Sequence, residues 1–261
     1  MPLDHLYAIF AFGFGACIGS FLNVCIYRIP AGKSIVSPPS ACPQCGYVIR
    51  FYDNIPIISY ILLRARCRRC HIHIPIRYPL VELITGIAAL AVFFKFGPTP
   101  AAGVYFLFIA VLLVITYIDI DHQIIPDSLS VTGIPLFFLL GFLIPSISWR
   151  DALIGILAGG GSLYAVAIGY QLLTGRDGMG GGDIKLLAMI GALIGWQGIL
   201  FTIFMSSITG TLIGLLLALP ASRSLKSRLP FGPFLAAGAI AYVFFGPQLI
   251  HWYLGFASTT G

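Results

Sequence analysis

Gly178-Met179-Gly180-Gly181-Gly182-Asp183-Ile184-Lys185 places a carboxylate directly after a glycine run and directly before Leu186 to Pro220, a segment without a single charge. So long an uncharged run is too apolar for a soluble domain and reads as membrane-embedded helix. An earlier stretch answers it, Tyr117-Ile118-Asp119-Ile120-Asp121-His122-Gln123-Ile124-Ile125-Pro126-Asp127. Together the two stretches decide the fold class.

The composition agrees. The 261 residues are 58% hydrophobic and 9% charged, with a mean hydropathy of +0.96. Soluble domains carry about 25% charged residues. The chain is therefore expected to be an all-α polytopic membrane protein of about eight transmembrane helices, with one small insert. Its net charge of +6 calls for no nucleic acid partner, because Lys and Arg crowd into short loops, the positive-inside pattern of membrane topology. Met1 to His5 lack a basic leader region, so the apolar run after them is expected to stay as an anchor.

Tyr7 to Ile26 reads as the first span, and residues 1–26 as the first transmembrane segment. Its Gly13, Gly15, Ala16, Gly19 and Ser20 let helices approach closely, and Asn23 is expected to face other helices. Residues 27–78 form a basic insert, too small to hold a core without a staple. Residues 79–261 then supply about seven helices: Pro79 to Phe96, Ala101 to Ile118, Ser128 to Ile147, Ala152 to Leu173, two within Leu186 to Pro220, and Phe231 to Leu254. The split near Trp196-Gln197-Gly198 follows from length, since one helix over Leu186 to Pro220 would run about 50 Å against a hydrocarbon core of about 30 Å. Asp119 to Asp127 is expected to be a loop, and Gly159-Gly160-Gly161 a helix-packing surface.

Charge bias supports eight spans with the insert in the cytoplasm and both termini outside. Inside lie Arg28, Lys33, Arg50, Arg64, Arg66, Arg68, Arg69, Arg77, Arg176, Lys185, Arg223, Lys226 and Arg228, against Lys95 and Arg150 outside. With a single span over Leu186 to Pro220, three of those cations would change sides.

That topology brings Asp119 and Asp183 to one cytoplasmic membrane edge. Two carboxylates about 3 Å apart share one proton. The ionised member can take a proton from a water attacking a peptide carbonyl, while the protonated member donates to the carbonyl oxygen. Glycines before Asp183 leave room for an extended substrate. Asp121, Asp127 and Asp177 read as loop or cap residues, with Asp121 the closest rival to Asp119. No Gly-Lys-Ser/Thr follows the glycine run, which excludes a phosphate loop.

Cys42-Pro43-Gln44-Cys45 and Cys67-Arg68-Arg69-Cys70 repeat C-x2-C across 21 residues. The spacing fits a closed four-thiolate structural zinc site. Disulfides are the alternative, disfavoured in a reducing cytoplasm. His71 and His73 flank the site, and Arg66, Arg68 and Arg69 suit anionic headgroups. Cys17 and Cys25 read as small buried apolar residues.

These residues together resemble the bifunctional type IV prepilin leader peptidase and N-methyltransferase family, membrane aspartic proteases of the GxGD kind. The resemblance runs through Gly19-Ser20-Phe21-Leu22-Asn23-Val24, Arg28-Ile29-Pro30, both CxxC pairs, Arg77-Tyr78-Pro79-Leu80-Val81-Glu82, Asp119 with Ile125-Pro126-Asp127, Gly178 to Leu187, and Pro230-Phe231-Gly232-Pro233-Phe234. It implies a bacterial inner-membrane enzyme whose insert and active site face the cytoplasm. It implies cleavage of the basic leader of type IV prepilins and type II secretion pseudopilins after a glycine, with Asp119 and Asp183 catalytic. Methylation of the new N-terminal residue from S-adenosylmethionine would follow, and Glu82 and Lys33 are candidates for that half by analogy. Ala65 departs from the pattern, where glycine is expected. The alternative reading is a proton- or ion-coupled transporter with a structural zinc insert, which would set its acids near the bilayer midplane.

Overall fold

The computed structural model describes residues 2–175, 180–218 and 230–259. The helices are α1 (Pro2–Arg28), α2 (Ile58–Leu62), α3 (Arg77–Phe96), α4 (Pro100–His122), α5 (Asp127–Gly141), α6 (Trp149–Thr174), α7 (Gly181–Ala218) and α8 (Gly232–Thr259), with a single 3-10 turn at Phe51–Asp53. No strand longer than an isolated bridge occurs among the described residues. Five helices are long and apolar enough to cross a membrane: α1 from His5, α3, α4, α6, and α7 to Leu216. The chain divides into two compact units, Met1–Val114 and Ile115–Gly261.

In the first unit α1 and α3 pack antiparallel. A Cβ at Gly15 would lie 2.8 Å from Thr85 O, and one at Gly19 would lie 2.7 Å from Glu82 Cα. Side chains larger than hydrogen would push the helices apart and forfeit the dispersion contacts that associate helices in lipid. Asn23 turns inward as expected, its amide donating to Tyr78 O at 3.1 Å and Gly19 O at 3.3 Å. Between these helices the insert is built around two matching knuckles. Cys42 N donates to Tyr47 O and Gly46 N to Cys42 O; Cys67 N donates to Ile72 O and His71 N to Cys67 O. Short antiparallel bridges, Ala41 with Val48 and Arg66 with His73, close each one.

In the second unit the first half of α7 is the hub. Leu186, Leu187, Met189, Ile190, Ala192 and Leu193 have no exposed surface, with α5, α6 and α8 all packed on α7. Gly155 meets Gly191, and Gly159 meets Leu187 O, so closely that no Cβ fits at either position on α6. Gly160 sits against the Ala188 methyl, so two of the three glycines at 159–161 form the packing surface that was expected of all three.

The expected division of residues 186–220 is present, one residue before Trp196. Gly195 has φ 70° and ψ −178°, which breaks α7 into two helices. Packing shows the reversal: Gly238 on α8 lies against Thr202, and Phe234 lies against Gly210, farther along α7. The second half of α7 therefore runs antiparallel to α8 and returns toward the end where Asp183 begins. Arg223, Lys226 and Arg228, counted above as cytoplasmic, lie outside the described residues, as do Arg176, Asp177, Gly178 and Met179.

Two boundaries differ from expectation. Residues 119–122 are not loop but the last turn of α4, which closes when Gln123, at φ 54°, donates its N–H to Asp119 O. The helix expected to reach Ile147 ends at Gly141. Beyond it Phe142, Leu143 and Ile144 donate to the carbonyls three residues back, and Pro145 has no N–H to continue the ladder.

Candidate functional site

Asp119 stands in the last turn of α4 and is 5% exposed. The N–H of Gly232, the first residue of α8, donates to Asp119 Oδ2 at 3.0 Å. A helix start carries unpaired N–H groups and a partial positive charge, so α8 holds this carboxylate by hydrogen bond and by field. A Cβ at Gly232 would lie 2.6 Å from Asp119 Oδ2, so a glycine is what permits the approach.

Asp183 is in the first turn of α7, directly after the two glycines that open the helix. Ile125 joins the two sides. A Cβ at Gly182 would meet the Ile125 Cβ at 3.0 Å, and one at Gly232 would meet Ile125 Cδ1 at 3.4 Å. Lys185 then ties the α7 start to the first residue of α5, its Nζ 2.8 Å from both oxygens of Asp127. The end of α4 and the starts of α7 and α8 thus converge on one pair of aspartates. Asp121, the sequence rival, is exposed on the last turn of α4. Gly232 and Ile125 were legible only as parts of quoted motifs, and nothing in their spacing assigns them a role at Asp119.

In the insert, the sulfurs of Cys42, Cys45, Cys67 and Cys70 all lie within 4.8 Å of one another. Cys42 to Cys70 is 3.7 Å and Cys45 to Cys67 is 4.0 Å. Zinc–sulfur bonds of about 2.3 Å make a tetrahedron whose edges are about 3.8 Å, so the donor set fits such an ion. Its electrostatics ask for one as well. N–H groups of Cys45 and Gln44 lower the Cys42 thiol to about 6. At Cys70 one donated N–H, from Ile72, is outweighed by burial and the three neighbouring sulfurs, which push it up to about 12. Without a cation the cluster resists full ionisation. Arg68, inside the second pair, clasps Asp53 through Nε at 2.8 and 3.0 Å.

Beside the knuckles lies a cavity of about 400 Å³ bounded by α1, α3 and the insert. Its wall includes Asn23, Tyr27, Tyr47, Tyr60, Tyr78 and Glu82. Glu82 is buried, with Oε2 accepting the Ile57 N–H at 2.7 Å. Lys33 does not line the cavity; its ammonium sits 5.5 Å over the ring of Tyr27, which does.

Fold and site define a polytopic helical membrane protein with paired aspartates at helix ends and a four-cysteine insert. Residues 14–96 match the bacterial peptidase A24 N-terminal domain, and residues 106–215 match the type IV leader peptidase family. The chain belongs to that family. Proteins named prepilin leader peptidase/N-methyltransferase are similar to it along most of its length. That of Aeromonas hydrophila is 37% identical over 97% of this chain and 95% of its own length. That of Pseudomonas aeruginosa is 38% identical over 93% and 92%. That of Myxococcus xanthus is 40% identical over 84% of this chain, which spans 65% of that longer protein. No solved structure matches the chain.

Proposed function

We propose that this protein is a prepilin peptidase and N-methyltransferase of the bacterial inner membrane, and that Asp119 and Asp183 are its catalytic pair. The observation that supports the reading is the Gly232 N–H bond to Asp119 at the end of α4, with Ile125 packed against both Gly232 and Gly182, the residue before Asp183. Asp119, facing the α8 start, is the member suited to hold the negative charge. It accepts a proton from the attacking water as the water oxygen bonds to the scissile carbonyl carbon. Asp183 supplies the shared proton to the carbonyl oxygen. Collapse of that gem-diol breaks the C–N bond: the departing amine takes the proton that Asp119 received, and one hydroxyl returns its proton to Asp183 as the new carboxyl group forms, which restores the pair. Substrates are type IV prepilins and type II pseudopilins, cut at the cytoplasmic membrane edge.

Cys42, Cys45, Cys67 and Cys70 would hold a structural zinc ion, whose part is to staple two knuckles that have little core of their own. Residues 1–26 are the first transmembrane helix, the insert at 27–78 is the methyltransferase region, and residues 79–261 are the peptidase domain of about seven helices. Glu82 also belongs to the methyl-donor pocket, although it lies in α3. S-adenosylmethionine fits the cavity beside Glu82 in size and charge, since drug-sized ligands occupy about 300–1,000 Å³ and a sulfonium is matched by a carboxylate. When bound it supplies an electrophilic methyl group. Glu82 orients that cation, and the tyrosines lining the wall shield it from water.

The test is incubation of the protein with a synthetic prepilin and labelled S-adenosylmethionine, scoring cleavage and label separately. Both activities are expected in the parent. Glu82→Gln is expected to lose methyl transfer by about 10²-fold, as for other lost charge contacts in a binding site, and to keep cleavage. Absence of cleavage in the parent would remove the whole assignment; methylation intact in Glu82→Gln would remove only the pocket.

A further inference from the structure

Ile55-Pro56-Ile57-Ile58-Ser59-Tyr60-Ile61-Leu62-Leu63 carries no charge, inside an insert crowded with Arg. Its contacts place it well below the ends of the spanning helices. Ile57 N–H reaches Glu82, which stands five residues into α3. α3 has 20 residues, and at 1.5 Å each it is about as long as the 30 Å hydrocarbon core; Glu82 stands about 7 Å along that helix from its first residue. Asn54, next to this stretch, accepts a hydrogen bond from Ser20 at 3.4 Å. Ser20 is eight residues, about 12 Å, before the end of α1 at Arg28.

Backbone at that depth must have its polar groups answered by protein, and here they are. Ser59 Oγ accepts the Ile55 N–H and donates to Tyr52 O, both at 3.0 Å. Ile57 adopts φ 63° and ψ −50°, a rare γ-turn in which Ile58 N donates to Pro56 O. A β-branched residue there is strained, yet the turn is what aims its N–H at Glu82. The short helix α2 then has two faces. Ser59, Tyr60 and Leu63 line the cavity, whereas Ile58, Ile61 and Leu62, at helical spacing, are 54%, 67% and 75% exposed.

We propose that residues 55–63 are a re-entrant lobe seated in the cytoplasmic leaflet, with Ile58, Ile61 and Leu62 against lipid acyl chains. α1 and α3 likewise carry exposed apolar side chains, among them Phe21 and Leu83. Arg64, Arg66 and Arg69 follow at once in the chain, at the level where anionic headgroups begin. One wall of the cavity is thereby held at interface depth, open to a ligand or acceptor that arrives along the bilayer rather than from the cytosol.

The test is photocrosslinking of the full chain in nanodiscs of phosphatidylethanolamine and phosphatidylglycerol. Ile61→p-benzoylphenylalanine and Leu62→p-benzoylphenylalanine are compared with the same change at Val36. Val36 is 86% exposed, in a loop that Arg28 holds at the end of α1 through Ser34 O and Pro38 O. Phospholipid mass adducts at 61 and 62 are expected to exceed those at 36 by about five-fold or more, since acyl C–H bonds are confined to the hydrocarbon core. Lipid adducts no more frequent than at 36, or adducts chiefly to this chain, a second copy or a prepilin, would overturn the proposal. The readout is a lipid mass, independent of both enzymatic activities.

Discussion

Replacing Gly232 with alanine tests the helix contact that holds Asp119. The new methyl would stand 2.6 Å from Asp119 Oδ2 and 3.3 Å from its Cγ, where ordinary contact begins at 3.4 Å. Clearing the clash displaces the carboxylate by about 0.8 Å, and a displacement near 1 Å at reacting groups costs about 10²-fold in rate. That is about 2.7 kcal/mol of transition-state stabilisation. The assay is initial-rate cleavage of a synthetic prepilin by the protein in nanodiscs, over a range of substrate concentration. The account expects kcat to fall about 100-fold with KM within about three-fold, because the contact acts on the reacting group and not on substrate binding. Methylation of a pre-cleaved acceptor, unchanged, would show that the variant is folded. A Gly232→Ala protein with kcat within about three-fold of the parent would refute the reasoning, since a clash of this size cannot leave a reacting carboxylate in place.

Further outcomes follow from the insert. Ala65 has φ 57°, a left-handed conformation that costs an L-residue roughly 1–2 kcal/mol, so Ala65→Gly should stabilise the insert by about 1 kcal/mol, read as a higher midpoint of thermal zinc release. In protein stripped of metal, iodoacetamide at pH 7 should label Cys42 ahead of Cys70, as peptide mapping by mass spectrometry would show. Cys42 lies near 6 and Cys70 near 12, and the thiolate is the nucleophile. Labelling of Cys42 should fall away as the pH drops through 6. Equal labelling of the two at pH 7 would contradict the electrostatics given for the cluster.

The sequence exposed what depends on local pattern. Paired C-x2-C spacing marked the four cysteines, and glycines on α1 and α6 marked close helix contacts. Length and the distribution of Lys and Arg placed a break within residues 186–220, found at Gly195. Less visible were features made by residues remote in the chain. Gly232 donates to a carboxylate 113 positions away, and no periodicity encodes that meeting. Residues 119–122 contain two aspartates and a histidine, which read as loop, yet α4 carries them as its last turn because Gln123 closes it beyond them. Ala65 looked like a mere departure from a glycine, and its positive φ explains why glycine suits the site. The apolar run at 55–63 is inconspicuous inside a basic insert, because its placement comes from contacts of Asn54 and Ile57 to Ser20 and Glu82 on separate helices.

The central claim is that one water is primed by two aspartates jointly, and single substitution of each tests it most directly. Asp119→Asn and Asp183→Asn, purified in nanodiscs, should each lose leader cleavage by at least about 10⁴-fold, the scale on which removing one member of a catalytic unit acts, while still methylating a pre-cleaved acceptor. Substantial cleavage by either variant would contradict the account.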